Sequence, residues 1–181
     1  NEPSDEIVIV GIDAYSISDE GLGRFYDWSR SYYGTLIENL ENAGAKVIAF
    51  DMTFVNTSQG IPEADLFEIA KSGPTLEEYF EQTIAYLGSP HPEDLQMAEV
   101  LEKYGNITIN EWLRSTSEVN EKEIENIPML ELFREKVHGT AALVFGDEDD
   151  VIRRIPFEIT DSVTGETWPA LSRKVVELYF G

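Results

Sequence analysis

The stretch Ile7–Asp13 (IVIVGID) is a continuous apolar run that ends on an aspartate, and Ala43–Phe54 (AGAKVIAFDMTF) repeats this pattern further along the chain. Apolar runs without alternation are typical of strands that are covered on both faces of a sheet. The segment between them, about Ser29–Ala43, carries apolar residues at helical spacing and is followed by Gly44, a residue favoured just beyond a helix end. The order strand, helix, strand predicts a βαβ unit with two parallel strands.

We place the two predicted strands at Glu6–Asp13 and Lys46–Phe54. Each strand delivers an acidic side chain, Asp13 or Asp51, to the carboxyl edge of the sheet. Open α/β sheets bind their ligands at that edge, so it is where we look for a site.

Further elements follow the same reasoning along the rest of the chain. The pattern predicts helices at Pro92–Tyr104 and Trp168–Phe180, and strands at Asn106–Leu113, Gly139–Phe145 and Val151–Thr160. Residues 56–92 are cut by prolines and glycines and predict a helical excursion, and residues 117–136 are charged and partly helical. The fold class is therefore α/β with three layers: a mainly parallel central sheet, helices on both faces, and an antiparallel strand pair near the C-terminus.

Composition limits the functions that the chain can have. The 181 residues predict one domain, 1–181. There is no cysteine, which excludes disulfides, thiolate catalysis and cysteine-based metal sites. With 35 acidic and 13 basic residues the net charge is −22, which argues against nucleic acid and anionic lipid as partners. No apolar run approaches the length that spans a bilayer.

A polar cluster at the carboxyl edge is the candidate ligand site. Its predicted members are Asp13, Asp51, Arg30, Arg153 and Arg154. The N-terminus of a helix disfavours a cation, so Arg30 at a helix start is expected to pair with an acid, and Asp13 or Asp51 are candidates. Arg153 and Arg154 follow an acidic turn and are further candidate partners. Alternatively, each aspartate only caps the loop after its strand.

Enzymatic function lacks its usual residues in this chain. The sequence has no phosphate-binding glycine loop, no nucleophile elbow and only two histidines, so we expect no enzyme activity and no cofactor. An alternative is a metal-dependent hydrolase in which Asp13 and Asp51 hold Mg²⁺. The acidic turn offers Asp147 and Asp149 as weak metal candidates, although Arg153 and Arg154 follow closely and favour a solvated turn.

Six stretches in order cover most of the chain: IVIVGID (7–13), WSR (28–30), AGAKVIAFDMTF (43–54), PEDLQMAEVLEKYGNITI (92–109), DEDDVIRRIPF (147–157) and WPALSRKVVEL (168–178). This ordered set resembles the second type of CHASE domain, the cyclase/histidine-kinase-associated sensory extracellular domain.

The resemblance implies an extracytoplasmic, ligand-sensing input domain of a bacterial membrane-anchored receptor, periplasmic or at the cell surface. The receptor's output would be an adenylate or guanylate cyclase, a histidine kinase of a two-component system or a Ser/Thr kinase. The ligand would be an unknown small molecule or protein, and the membrane would be met only through flanking transmembrane helices. A homodimer, or a purely dimerising structural module, remains open.

Overall fold

The computed structural model describes residues 6–58, 71, 75, 89–115, 124–142, 157–160 and 164–181. After a short 3₁₀ turn at Phe25–Asp27, the helices are α1 (Arg30–Asn42), α2 (Pro92–Lys103), α3 (Glu131–Arg134) and α4 (Leu171–Phe180). The strands are β1 (Ile48–Phe50), β2 (Ile107–Ser115), β3 (Ile124–Ile127), β4 (Thr140–Ala142), β5 (Glu158–Thr160) and β6 (Thr167–Pro169).

Local signals in the sequence set the ends of the two long helices. The Ser29 side chain accepts a hydrogen bond from the backbone N–H of Ser31 and so caps α1, and Gly44 adopts φ +88° just past its end. Helix α2 begins with Pro92, whose missing N–H costs nothing at a first position, and the His91 side chain caps it. The helix boundaries predicted from these residues are confirmed to within two residues.

β2 is the centre of the described sheet. Its first part lies between β1 and β4 and is parallel to both, with Ile107 opposite Ile48 and Ile109 opposite Thr140. Its last four residues pair antiparallel with β3. β5 and β6 form a separate antiparallel pair, and Ala142 at the end of β4 makes one parallel bridge to Ala170. The predicted α/β class, with its parallel sheet and its antiparallel pair near the C-terminus, is confirmed.

The core lies on the side of the sheet that α1 and α2 cover. Side chains of α1 (Tyr33, Ile37), α2 (Met97, Leu101) and β2 (Ile107, Ile109) are almost fully buried there. An aromatic group fills the end of this core nearest the carboxyl edge: Phe54 packs edge-on against Tyr33, Phe50 and Phe133.

Helix α4 lies against β1, β2 and β4 and contributes nothing to that core. The Lys174 side chain runs across Gly139, so close that a Cβ at position 139 would clash with it. At the end of α4, Tyr179 receives the Lys46 ammonium over its ring, 4.8 Å from the centroid. None of the residues of α4 is fully buried, whereas α1 and α2 each have several buried residues.

The first predicted strand is wrong. Residues 7–13 form no strand, and Ile7, Val8 and Ile9 are between 73% and 89% exposed. The second predicted strand, Lys46–Phe54, is confirmed only over Ile48–Phe50. β1 is therefore parallel to β2, to which it is connected through α2, instead of to the first apolar run as the sequence predicts.

Four other predictions differ in detail from the structure or lie outside the described residues. Part of the charged segment 117–136, predicted to be helical in places, is the strand β3. The C-terminal helix begins at Leu171 instead of Trp168, because residues 167–169 pair with β5. The predicted helical excursion 56–92 and the acidic turn 147–154 fall mostly or wholly outside the described residues.

Candidate functional site

Asp51 lies where the sequence placed it, directly after β1 at the carboxyl edge of the sheet. Its carboxylate is exposed and accepts a hydrogen bond from Asn110 Nδ2 at 3.0 Å. Asn110 belongs to the neighbouring strand β2 and is fully buried. Asp51 therefore links the end of β1 to the interior of β2 through its side chain.

In the described part of the chain, the partner of Asp13 is a local residue. Its carboxylate accepts hydrogen bonds from the Ser16 backbone N–H (2.9 Å) and the Ser16 hydroxyl (2.8 Å). These bonds stabilise the ionised form and lower the pKa of Asp13 below its ordinary value. The structure thus shows Asp13 in the turn-capping arrangement that the sequence left open as its alternative role.

Arg30 pairs with an acid, but with Asp94 and not with Asp13 or Asp51. Arg30 is the first residue of α1, and its Nε lies 3.6 Å from Asp94 Oδ1. Its Nη2 donates to the carbonyl of Asn56 at 3.0 Å, and its guanidinium lies over the Phe54 ring, 4.6 Å from the centroid. The expectation that a cation at a helix start needs an acidic partner is met by a residue of a different helix.

Asp94 is the centre of this contact, and sequence reasoning missed it. It is fully buried in the first turn of α2 and accepts hydrogen bonds from the Ser58 backbone N–H (2.9 Å) and hydroxyl (2.7 Å). The helix dipole favours an acid in the first turn of a helix whether that acid is exposed or buried, so the position of Asp94 in the sequence gives no sign of its burial. The signal that could have found it is the HPED motif (91–94), where two acids directly follow a proline helix start.

Glu93 completes what we call the Arg30–Asp94 cluster, made of Arg30, Asn56, Ser58, Glu93 and Asp94. Glu93 Oε2 accepts the backbone N–H of Arg30 at 3.3 Å. That N–H belongs to the first turn of α1 and has no partner inside its own helix, so Glu93 caps α1 from α2. The cluster therefore fastens the starts of two helices and the loop after β1 to one another.

A second buried acid, Glu111, lies further along β2 and was also missed. Its Oε2 accepts the Met129 backbone N–H at 2.9 Å, and its Oε1 lies 3.5 Å from Arg134 Nε. Arg134 in turn bonds Glu166, the residue before β6, at 2.9 Å. Burial raises the pKa of Glu111, opposed by the Met129 hydrogen bond and the Arg134 charge. Glu111 thus links the centre of the sheet to the C-terminal strand pair.

Substitution of Glu111 tests this link through pH. Because the pKa of Glu111 is raised in the folded state, the folded chain holds this proton more tightly than the unfolded chain does. The resulting stability is present at low pH and is lost as the pH rises through the folded pKa. We expect Glu111→Gln to remove that component, so the free energy of unfolding of the variant should rise relative to that of the wild type as the pH increases above 4.5, the ordinary pKa of this carboxyl. Urea unfolding at three pH values measures the difference.

Glu135→Gln is the matched control, because Glu135 is exposed one residue after α3. We expect Glu135→Gln to change the pH dependence of the free energy of unfolding less than Glu111→Gln does. Equal effects of the two substitutions would contradict the assignment of a raised pKa to the Glu111 carboxyl.

The remaining predicted site residues, Arg153, Arg154, Asp147 and Asp149, lie outside the described residues. Within the described part of the chain no group of three or more histidines, aspartates and glutamates could hold a metal ion. In the same part, no helix has the length and hydropathy needed to cross a membrane. What the carboxyl edge presents is an exposed carboxylate at Asp51 and the partly exposed guanidinium of Arg30, which suit hydrogen bonds and ion pairs with a polar ligand.

Comparison with known families identifies the chain. The family model of the CHASE2 domain matches residues 1–180, almost the whole chain. No curated protein and no solved structure gives a significant match.

Proposed function

Because the chain belongs to the CHASE2 domain family, we propose that it is the ligand-sensing input domain of a bacterial membrane-anchored receptor and works outside the cytoplasm. CHASE2 domains are extracellular sensory domains of signalling receptors. The match over residues 1–180 is the observation that supports the proposal most strongly. The receptor's output is a cyclase, a histidine kinase or a Ser/Thr kinase.

The ligand site in this proposal is the carboxyl edge around Asp51 and Arg30. The loop after β1 connects them, because Asp51 begins that loop and Arg30 holds its Asn56 carbonyl. Asp13, Arg153 and Arg154 stay predicted members of the same site. A small molecule or protein with complementary charges would bind here through hydrogen bonds to the carboxylate and the guanidinium.

Sensing in this proposal is a shift between two arrangements of the domain. A ligand can bias such an equilibrium only by the difference between its affinities for the two states. β1 offers a short path for the change: Asp51 follows it at the carboxyl edge, and Lys46 precedes it and contacts Tyr179 at the end of α4. A movement of the loop after β1 would therefore shift Lys46 and change its contact with Tyr179 in the last turn of α4.

Location is the part of the proposal that can be tested first. The chain has no cysteine, so a single Gln96→Cys substitution on the exposed side of α2 introduces the only thiol of the domain. We expect a membrane-impermeant maleimide to label this variant of the full-length receptor in intact cells. The receptor without the substitution is the control for thiols elsewhere in the protein.

Two results would contradict the proposal. Labelling that occurs only after the cells are permeabilised would place the domain inside the cytoplasm. Heat stabilisation of the chain by Mg²⁺ that is lost in Asp13→Asn would instead support the metal-dependent hydrolase.

A further inference from the structure

The apolar segment Ile7–Ile12, which we call the N-terminal run, is uncovered in the structure. Ile7, Val8, Ile9 and Val10 are 73%, 79%, 89% and 54% exposed. In an extended chain consecutive side chains point to opposite sides, so a run that is exposed at every position lies against nothing on either side. An apolar surface of several hundred Å² on a soluble chain marks an interaction site.

β1 provides a surface that fits such a run. In the described sheet β1 pairs with β2 only, so its other side is an open edge. Ala49 is exposed between the buried Ile48 and Phe50. An open edge presents backbone N–H and C=O groups that accept a further strand.

The N-terminal run does not occupy the edge of β1 in its own chain. The connection from the run to α1 is folded locally: Asp13 bonds Ser16, and Trp28 Nε1 donates to the Gly23 carbonyl at 3.0 Å. If the run did pair with β1 of its own chain, the order of run, α1 and β1 would make the two strands parallel, as in any βαβ unit. Among the described residues, one copy of the chain therefore displays both an unpaired apolar strand segment and an unpaired strand edge.

We propose that the N-terminal run of each copy pairs in parallel with β1 of a second copy, which gives a strand-exchanged dimer. A second copy is the partner that supplies the missing strand and the missing edge together, in one reciprocal contact with two-fold symmetry. The contact would bury the apolar side chains of both runs and would pair the backbone groups of both edges.

Charge gives this dimer a characteristic salt dependence. Each copy carries a net charge of −22, so two copies repel each other at long range. The run itself has no charged residue between Ile7 and Ile12, so the contact depends on backbone hydrogen bonds and apolar burial. Added salt screens the repulsion and leaves the contact intact, so we expect it to favour the dimer.

Disulfide trapping tests the pairing directly, because the 20.4 kDa chain has no cysteine of its own. Ile9→Cys and Val10→Cys are each mixed with Ala49→Cys under mild oxidation. Paired strands lie about 4.8 Å apart, within the range that a disulfide spans, and one of the two neighbouring positions must face the same side as Ala49. We expect the mixture that contains the variant facing the same side as Ala49 to give a cross-linked dimer. The control mixture of Val176→Cys with Ala49→Cys, which uses an exposed position on α4, should give none.

Sedimentation of the 181-residue chain at several concentrations provides the second measurement. We expect a dimer whose dissociation constant rises about tenfold or more in Ile9→Lys and changes little in Val176→Lys. Both residues are exposed, so neither variant should fail to fold. A strict monomer at all concentrations would overturn the proposal. A disulfide that forms within one chain of the Ile9→Cys/Ala49→Cys or Val10→Cys/Ala49→Cys double variant at high dilution would also overturn it, since the run would then complete its own sheet. Binding of the monomer to phosphatidylcholine vesicles that Ile9→Lys abolishes would make a membrane the partner.

Discussion

Asp94→Ala is expected to lower the free energy of unfolding by about 2–4 kcal/mol. The substitution removes a fully buried carboxylate that accepts two hydrogen bonds from Ser58 and lies 3.6 Å from Arg30 Nε. The donors would stay in place without acceptors, and the Arg30 guanidinium would lose its buried counter-charge. Leaving one member of a buried pair unpaired costs more than the pair contributes when it is intact, so the loss is large. Urea unfolding of the wild type and the variant measures it.

Glu99→Ala provides the control on the same helix. Glu99 is exposed in α2, so the same change of residue type there should alter stability by no more than about 0.5 kcal/mol. Asp94→Asn keeps the size of the side chain and some of its acceptors, and we expect a loss between those of the two alanine variants. Equal effects at positions 94 and 99 would mean that the Arg30–Asp94 cluster contributes nothing to stability.

Phe54→Ala is expected to cost about 3–5 kcal/mol, as large-to-small substitutions in a packed core do. Phe54 is 1% exposed, and its ring centroid lies 5.1 Å from that of Tyr33 and 5.9 Å from that of Phe133. Its removal would leave a cavity among aromatic rings of three different elements and would take away the surface on which the Arg30 guanidinium lies. The free energy of unfolding and the melting temperature should both fall.

The matched control for that substitution is Phe180→Ala, at an aromatic residue that is 80% exposed. We expect a change within about 0.5 kcal/mol there. If the two alanine variants lost the same stability, the packing of Phe54 against Tyr33 and Phe133 would be disproved as the reason.

Elements whose ends carry local signals could be predicted from the sequence. Ser29 and Gly44 bracket α1, and Pro92 opens α2, because capping and φ preferences act within a few residues of the chain. The strand predicted at Asn106–Leu113 from its composition is observed at Ile107–Ser115. These features require no knowledge of which elements are neighbours in space.

Pairing between distant elements could not be predicted in the same way. The run at residues 7–12 has the composition of a covered strand, but composition does not say which edge a strand joins, and the structure leaves it uncovered. Asp51 was placed at the carboxyl edge because it directly follows a strand. Arg30 was assigned to the wrong acid because the sequence does not say which residues are its neighbours in space. The two residues that meet, Arg30 and Asp94, are 64 positions apart in the sequence, and nothing near either of them indicates the other.

Glu93, which caps α1 from the first turn of α2, has a mechanical consequence for a receptor domain. With Arg30 bound to both Glu93 and Asp94, one of these helices cannot slide past the other without breaking a buried ion pair and a backbone hydrogen bond. Helix α4 has no fully buried side chain, and its polar contacts to other elements, the ion pair of Arg173 with Glu158 of β5 and the Lys46–Tyr179 contact, lie at the surface, so its displacement breaks no fully buried contact in the described residues. If the domain senses a ligand as proposed, we expect binding to displace α4 while α1 and α2 keep their relative position.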